Sequence, residues 1–134
     1  AIGGTQMIIS NDIETALYFR LTADGYSASA HVIPAAVETM LPHIHVTRTG
    51  GFTTDMVKEE NNVDFDVYAE TQADAMEEAS HLCGWVRALE GTTVDTPCYS
   101  SEVITLPYEN PDPRHPNIGR ATFKAQITVR VKEV

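Results

Sequence analysis

The chain has 134 residues, 43% of them hydrophobic and 21% charged; this is ordinary globular composition at a length that fits one domain and buries a core without staples. Nine Lys and Arg against nineteen Asp and Glu leave a net charge of −10. That balance argues against a sequence-independent nucleic-acid binder and against docking on an anionic membrane, both of which need clustered cations.

No stretch approaches the ~18 apolar residues of a membrane span. The start, Ala1 to Ser10, has no basic segment followed by a signal-peptide core, so no leader is expected. Cys83 and Cys98 make neither a disulfide framework nor a zinc-ribbon or thioredoxin spacing, and a reducing folding compartment is the expectation.

The first expected helix runs from Asn11 to about Ala23. Ser10, Asn11 or Asp12 can cap it, and Ile13, Leu17 and Leu21 form one apolar stripe. Pro34 opens a short helix through Val37 and Met40, closed by Pro42. His43 to Arg48 alternates as a strand, with Ile44 and Val46 on one side and His43, His45 and Thr47 on the other, and Gly50-Gly51 breaks it. Residues 52–62 have no clean period and read as an extended loop or arm. Val63 to Ala69 is the clearest strand, with Val63, Phe65, Val67 and Ala69 on its core face and Asp64, Asp66 and Tyr68 on the other. Thr71 caps a helix to about Leu89, with Ala75, Ala79, Leu82, Val86 and Leu89 inward and Gly91 placed for a left-handed stop.

Tyr99 to Leu106 reads as a third strand. Residues 107–119, with four prolines, read as irregular, and Thr122 to Lys132 reads as a long alternating final strand. The strands are one-sided, so the expected fold is a two-layer α/β sandwich of the α+β class. It has one domain, 1–134, an antiparallel or mixed sheet of about four strands with helices on one face, and two long loops. If the 63–70 and 122–132 strands are neighbours, Asp64, Asp66 and Glu70 face Lys124, Arg130 and Lys132 across the ladder.

Candidate chemistry is sparse. His43 and His45 share a strand face and can seat a metal, but two ligands do not make a site, and a polar strand face accounts for them. Cys83, on the buried side of its helix, reads as a small apolar packer rather than a nucleophile, because an acidic chain offers little cationic help to a thiolate. Gly3-Gly4 and Gly50-Gly51 lack the flanking pattern of a phosphate cradle. The two irregular segments are the stronger feature. Phe52, Met56, Lys58 and Glu59 in the first, and Tyr108, Arg114, His115 and neighbouring Arg120 in the second, are candidate protein-interface residues. Proline lowers the entropy cost of ordering the second against a partner, and Tyr and Arg are enriched in interface hot spots.

An ordered series of segments resembles the tail terminator proteins of long-tailed bacteriophages. It comprises Leu41-Pro-His-Ile-His-Val-Thr-Arg-Thr-Gly-Gly51; Val63-Asp-Phe-Asp-Val-Tyr-Ala69 running into Thr71-Gln-Ala-Asp-Ala75; and Leu106-Pro-Tyr-Glu-Asn-Pro111 followed by Arg120-Ala-Thr-Phe123 and a terminal strand. The match covers about residues 38–132, and the segment around 26–37 departs from the family pattern. The resemblance implies a structural virion protein at the head–tail junction, assembled in the host cytoplasm, with no enzymatic activity and no catalytic, metal or cofactor residues. It implies a homo-oligomer, a hexameric ring that caps the tail tube, ends its polymerisation and joins the tail to head-completion or neck proteins. DNA passes through the lumen without specific binding. Two other readings compete: another head–tail connector subunit, and, from a different class, a small metal- or thiol-dependent enzyme using His43, His45 or Cys83.

Overall fold

The computed structural model describes residues 8–54 and 57–133. In chain order the elements are β1 (Ile8–Ile9), α1 (Ile13–Ala23), β2 (Ala28–Ala30), a 3₁₀ turn (Val37–Thr39), β3 (His43–Thr54), β4 (Lys58–Ala69), α2 (Gln72–Arg87), β5 (Thr93–Val94), β6 (Thr96–Glu109), β7 (Gly119–Arg130) and β8 (Lys132–Glu133). The fold is mixed α+β. Five strands form one sheet in the order β2-β3-β4-β7-β6, with the two-residue β5 hooked onto the start of β6 and β1 pairing separately with β8. β2 runs parallel to β3, and the remaining pairs of the sheet are antiparallel. Among the described residues no helix is long and apolar enough to cross a membrane.

The helices start where local chemistry starts them. Asp12 caps α1, its carboxylate accepting from the Thr15 amide at 3.2 Å, and Thr71 caps α2, its hydroxyl accepting from the Asp74 amide at 3.1 Å. Ile13, Leu17 and Leu21 of α1 and Ala75, Ala79, Leu82, Cys83 and Val86 of α2 enter one hydrophobic cluster with the odd-numbered face of β4 and with β7. The register sets Phe65 opposite Phe123, and their rings stack at 5.0 Å and 8°. Each fully buried phenyl contributes roughly 1.5–3 kcal/mol, and the ring pair adds to that. Trp85 lies edge-on to Phe65 and donates its indole N–H to Asp24 at 2.7 Å, tying α2 to the end of α1. Gly119 opens β7 against the start of α2, where a Cβ would lie 2.5 Å from the Thr71 carbonyl and the Gln72 amide.

Several expectations need correction. The sheet has five strands rather than about four, because Ala28-Ser29-Ala30 is too short and too small-chained to carry a period-two signal. Of the segment 52–62, expected as an extended loop or arm, residues 52–54 and 58–62 are paired strand: β3 continues to Thr54 and β4 begins at Lys58, with Phe52 opposite Glu60 and Thr53 opposite Glu59. Gly50-Gly51 bends the strand at a register shift instead of ending it, both glycines at φ 139°. Polar residues hid this arm, because Glu59 and Asn61 hold the core-face positions of β4, where Asn11 reaches in to donate to Glu59 from its backbone at 2.7 Å and its side chain at 3.2 Å.

The irregular segment expected over 107–119 shortens likewise. Pro107, Tyr108 and Glu109 belong to β6 and Gly119 to β7, which leaves residues 110–118 as the loop. Finally, the sheet face opposite the helices is not uniformly open. Near β2 it is buried, with His43, His45 and Tyr68 all inaccessible or nearly so. The helix expected after Pro34 is a single 3₁₀ turn whose Val37 is buried. Of the charge pairs expected across the ladder, Asp64 does face Lys124, at 3.2 Å, whereas Asp66 faces Thr122 and Arg130 faces Lys58.

Candidate functional site

The loop over residues 110–118 is organised around one carboxylate. Asp112, nearly fully buried, accepts from the Arg114 amide at 3.0 Å, from two Arg114 guanidinium nitrogens at 3.2 Å, and from the Tyr68 hydroxyl at 2.9 Å. Arg120 stands 3.6 Å away, donates to the Asn110 carbonyl, and lies over the Tyr68 ring. Burial opposes the charge on Asp112, but the Arg114 hydrogen bonds, with Tyr68 and Arg120, overcome it and hold the carboxyl at about 2. His115 packs edge-on to Tyr68 and reaches Glu38 at 3.2 Å, joining the loop to the 3₁₀ turn. Pro111, Pro113 and Pro116 stiffen the segment, and this clip fixes its shape.

The expected interface residues therefore divide. Arg114, His115 and Arg120 converge on the clip, and only Arg114 among them is well exposed. Tyr108 is on β6 beside Thr122, with 38% of its surface exposed. Phe52, 57% exposed, projects from the arm, and Lys58 lies 5.1 Å over the Tyr99 ring. Glu59 is 2% exposed and cannot meet a partner; it anchors Asn11 instead. Met56 lies outside the described residues.

Asp112, Tyr68, Ile104 and Leu106 hold places that local sequence pattern does not signal. Asp112 sits between Pro111 and Pro113, where a charged residue reads as solvated. Tyr68 alternates onto the strand face opposite the core, beside Asp64 and Asp66. Ile104 and Leu106 are 56% and 69% exposed on β6, next to register shifts that break strict alternation. Exposed apolar side chains among the described residues include Phe19 and Val32 on the α1–β2 side and two groups on the long strands. One is Phe52 on the arm, level with Glu60 and Thr128, with Val57 at the arm's turn; the other is Ile104, Leu106 and Tyr108 on β6, running from the level of Lys124 to that of Thr122.

The residues considered for chemistry are structural in their contacts. His43 and His45 hydrogen-bond to Ser27 and Ser29. Cys83 and Cys98 are free and buried. Burial raises the Cys83 thiol against the opposing pull of Arg87, and burial with nearby Glu90 pushes Cys98 up to about 11. No family model and no curated protein matches the sequence.

Proposed function

We propose that this chain is a structural subunit of the tail-terminator type, a two-layer α/β domain that closes into a ring at the end of a phage tail tube, stops the tube's growth and meets the neck proteins on its other side. The observation that carries this reading is the pair of separated apolar groups, Phe52 and Val57 on the arm and Ile104, Leu106 and Tyr108 on β6. Contiguous exposed apolar surface marks interaction sites. Two different apolar groups at separate places on the sheet suit a head-to-tail contact, which generates a ring when the rotation per subunit closes.

The edge of β6 supports side-chain docking over strand addition. It carries three register shifts and Pro107, features that blunt edge-to-edge pairing. The arm and the clipped 110–118 loop are preorganised, which lowers the cost of ordering them on a partner. A net charge of −10 per chain suits a lumen that double-stranded DNA traverses without being held.

The test is electron microscopy of the purified chain mixed with polymerising tail tubes. A ring on one end of each tube, with elongation arrested, is the expected result. Tubes that lengthen as they do without the chain, and carry no added density, overturn the reading. A ring whose lumen is lined mainly by Lys and Arg overturns the proposal about DNA passage.

A further inference from the structure

β2 is held on β3 by little backbone. It is three residues long, carries Ala, Ser and Ala, and pairs only with Ile44, His45 and Val46. Side chains supply a second tether. Ser27 Oγ is 2.7 Å from His43 Nδ1, Ser29 Oγ is 2.8 Å from His43 Nε2, and the same Ser29 Oγ is 2.7 Å from His45 Nδ1. The chain Ser27–His43–Ser29–His45 is continuous, and His43 and His45 are both buried.

A neutral imidazole has one donor and one acceptor, so this chain closes with both rings neutral. In one polarity Ser27 donates to His43 Nδ1, His43 Nε2–H donates to Ser29 Oγ, and Ser29 donates to His45 Nδ1. The reverse polarity closes equally well. With both rings protonated, each donates to Ser29 Oγ, the Ser29 hydrogen loses its acceptor, and two cations flank one oxygen in a buried site.

We propose that this chain is a proton-operated latch: with neutral rings it holds β2 on β3, and acidification detaches β2 and opens the β3 edge at Ile44–Val46 while the rest of the sheet stays folded. The surroundings decide the balance. Opposite on β4, Asp66 faces His45 and Tyr68 faces His43. Glu14 comes from α1, His31 from the segment after β2, and Arg114 with Asp112 and His115 from the 110–118 loop. Burial and then the neighbouring His45 lower the His43 ring below the ordinary imidazole range. For His45, burial together with Arg114 and His31 outweighs the pull of Asp66 and Glu14 in the other direction. The stability these rings contribute is therefore complete above their ordinary value of 6.5 and is lost as pH falls through their lowered values. Past β2, His31 lies against Asp12 and Glu14, and Glu38 against His115, so the segment that follows β2 has tethers of its own.

Amide hydrogen exchange on the full chain, corrected for the intrinsic pH dependence of exchange, tests this between about pH 7.5 and about pH 5. Protection at the β2 amides and at Ile44 and Val46 is expected to fall by about tenfold or more, with β4 and β7 unchanged. The double variant His43→Gln, His45→Gln is expected to lose that pH response. The imidazole resonances of the wild-type chain, followed by NMR, should titrate with the same midpoint as the loss of β2 protection. That overlay decides the matter if the double variant does not fold. Unchanged β2 protection in the wild-type chain, the same loss in a folded double variant, or midpoints about one pH unit or more apart overturn the latch.

Discussion

Asp112 shows how much one buried charge organises. Its carboxyl, moved from an ordinary 3.8 to about 2, contributes stability that is present above the ordinary value and is lost as pH falls through the lowered one. A shift of that size corresponds to about 2 kcal/mol. Asp112→Asn is therefore expected to lower unfolding free energy by about 2 kcal/mol near pH 6, with a gap from the wild type that shrinks between about pH 4 and pH 2. Urea titrations of both proteins at several pH values check this, and a gap that does not change with pH would show that the charge is not its source. The cysteines allow a second measurement. With both thiols buried and raised, labelling of the native chain is expected to run at least about a hundredfold slower than labelling of the unfolded chain. Labelling at the rate of a free thiol would bring back the thiol-dependent enzyme. At this scale the sequence is legible where a side chain's burial follows from its own polarity. Phe65 and Cys83 read correctly. His43, His45 and Glu59 did not, because each is buried by partners distant in sequence: Ser27 and Ser29 for the histidines, Asn11 for the glutamate.

Among elements, α1, α2 and the inner half of β4 followed from periodicity and caps, because their apolar stripes are unbroken. The arm did not, since Asn61 and Glu59 interrupt the stripe and two glycines precede it. Those glycines are not equivalent. Both hold φ 139°, but a Cβ on Gly51 would collide with the Glu60 carbonyl, whereas a Cβ on Gly50 meets nothing within 4 Å. Both substitutions strain the backbone, at a cost on the order of 1–3 kcal/mol, and Gly51→Ala adds a clash across the hairpin. It is expected to strip exchange protection from the arm between Gly51 and Asn61, leave α2 and the Phe65–Phe123 layer protected, and cost more than Gly50→Ala. Equal costs for the two variants, measured by denaturant unfolding and exchange, would mean that the arm does not pair as described. The 110–118 loop was legible as stiff from its prolines. Its clip was not, because the acceptor Asp112 and the donor Tyr68 are 44 residues apart.

At the scale of the whole molecule, the mixed α+β class was legible from one-sided strands alternating with amphipathic helices, while the fifth strand was too short to leave a pattern. What the molecule does with its two apolar groups turns on the symmetry of the contact. If the arm of one copy meets β6 of the next, Phe52→Asp disables one side of the joint and Leu106→Asp the other. Each variant alone then has no self-complementary pair of good surfaces and is expected to stay monomeric in sedimentation velocity. Mixed in equal amounts, the two variants retain one good arm and one good β6 between them. They are expected to form heterodimers and nothing larger, because the remaining surface on each partner is the damaged one. A two-fold contact, arm to arm or β6 to β6, predicts otherwise: the variant with the intact patch dimerises alone, and mixing adds nothing. Rings in each single variant, as in the wild type, would assign the ring to a surface other than these two groups. Burying a charge against an apolar patch costs several kcal/mol, enough to make each substitution decisive at micromolar protein.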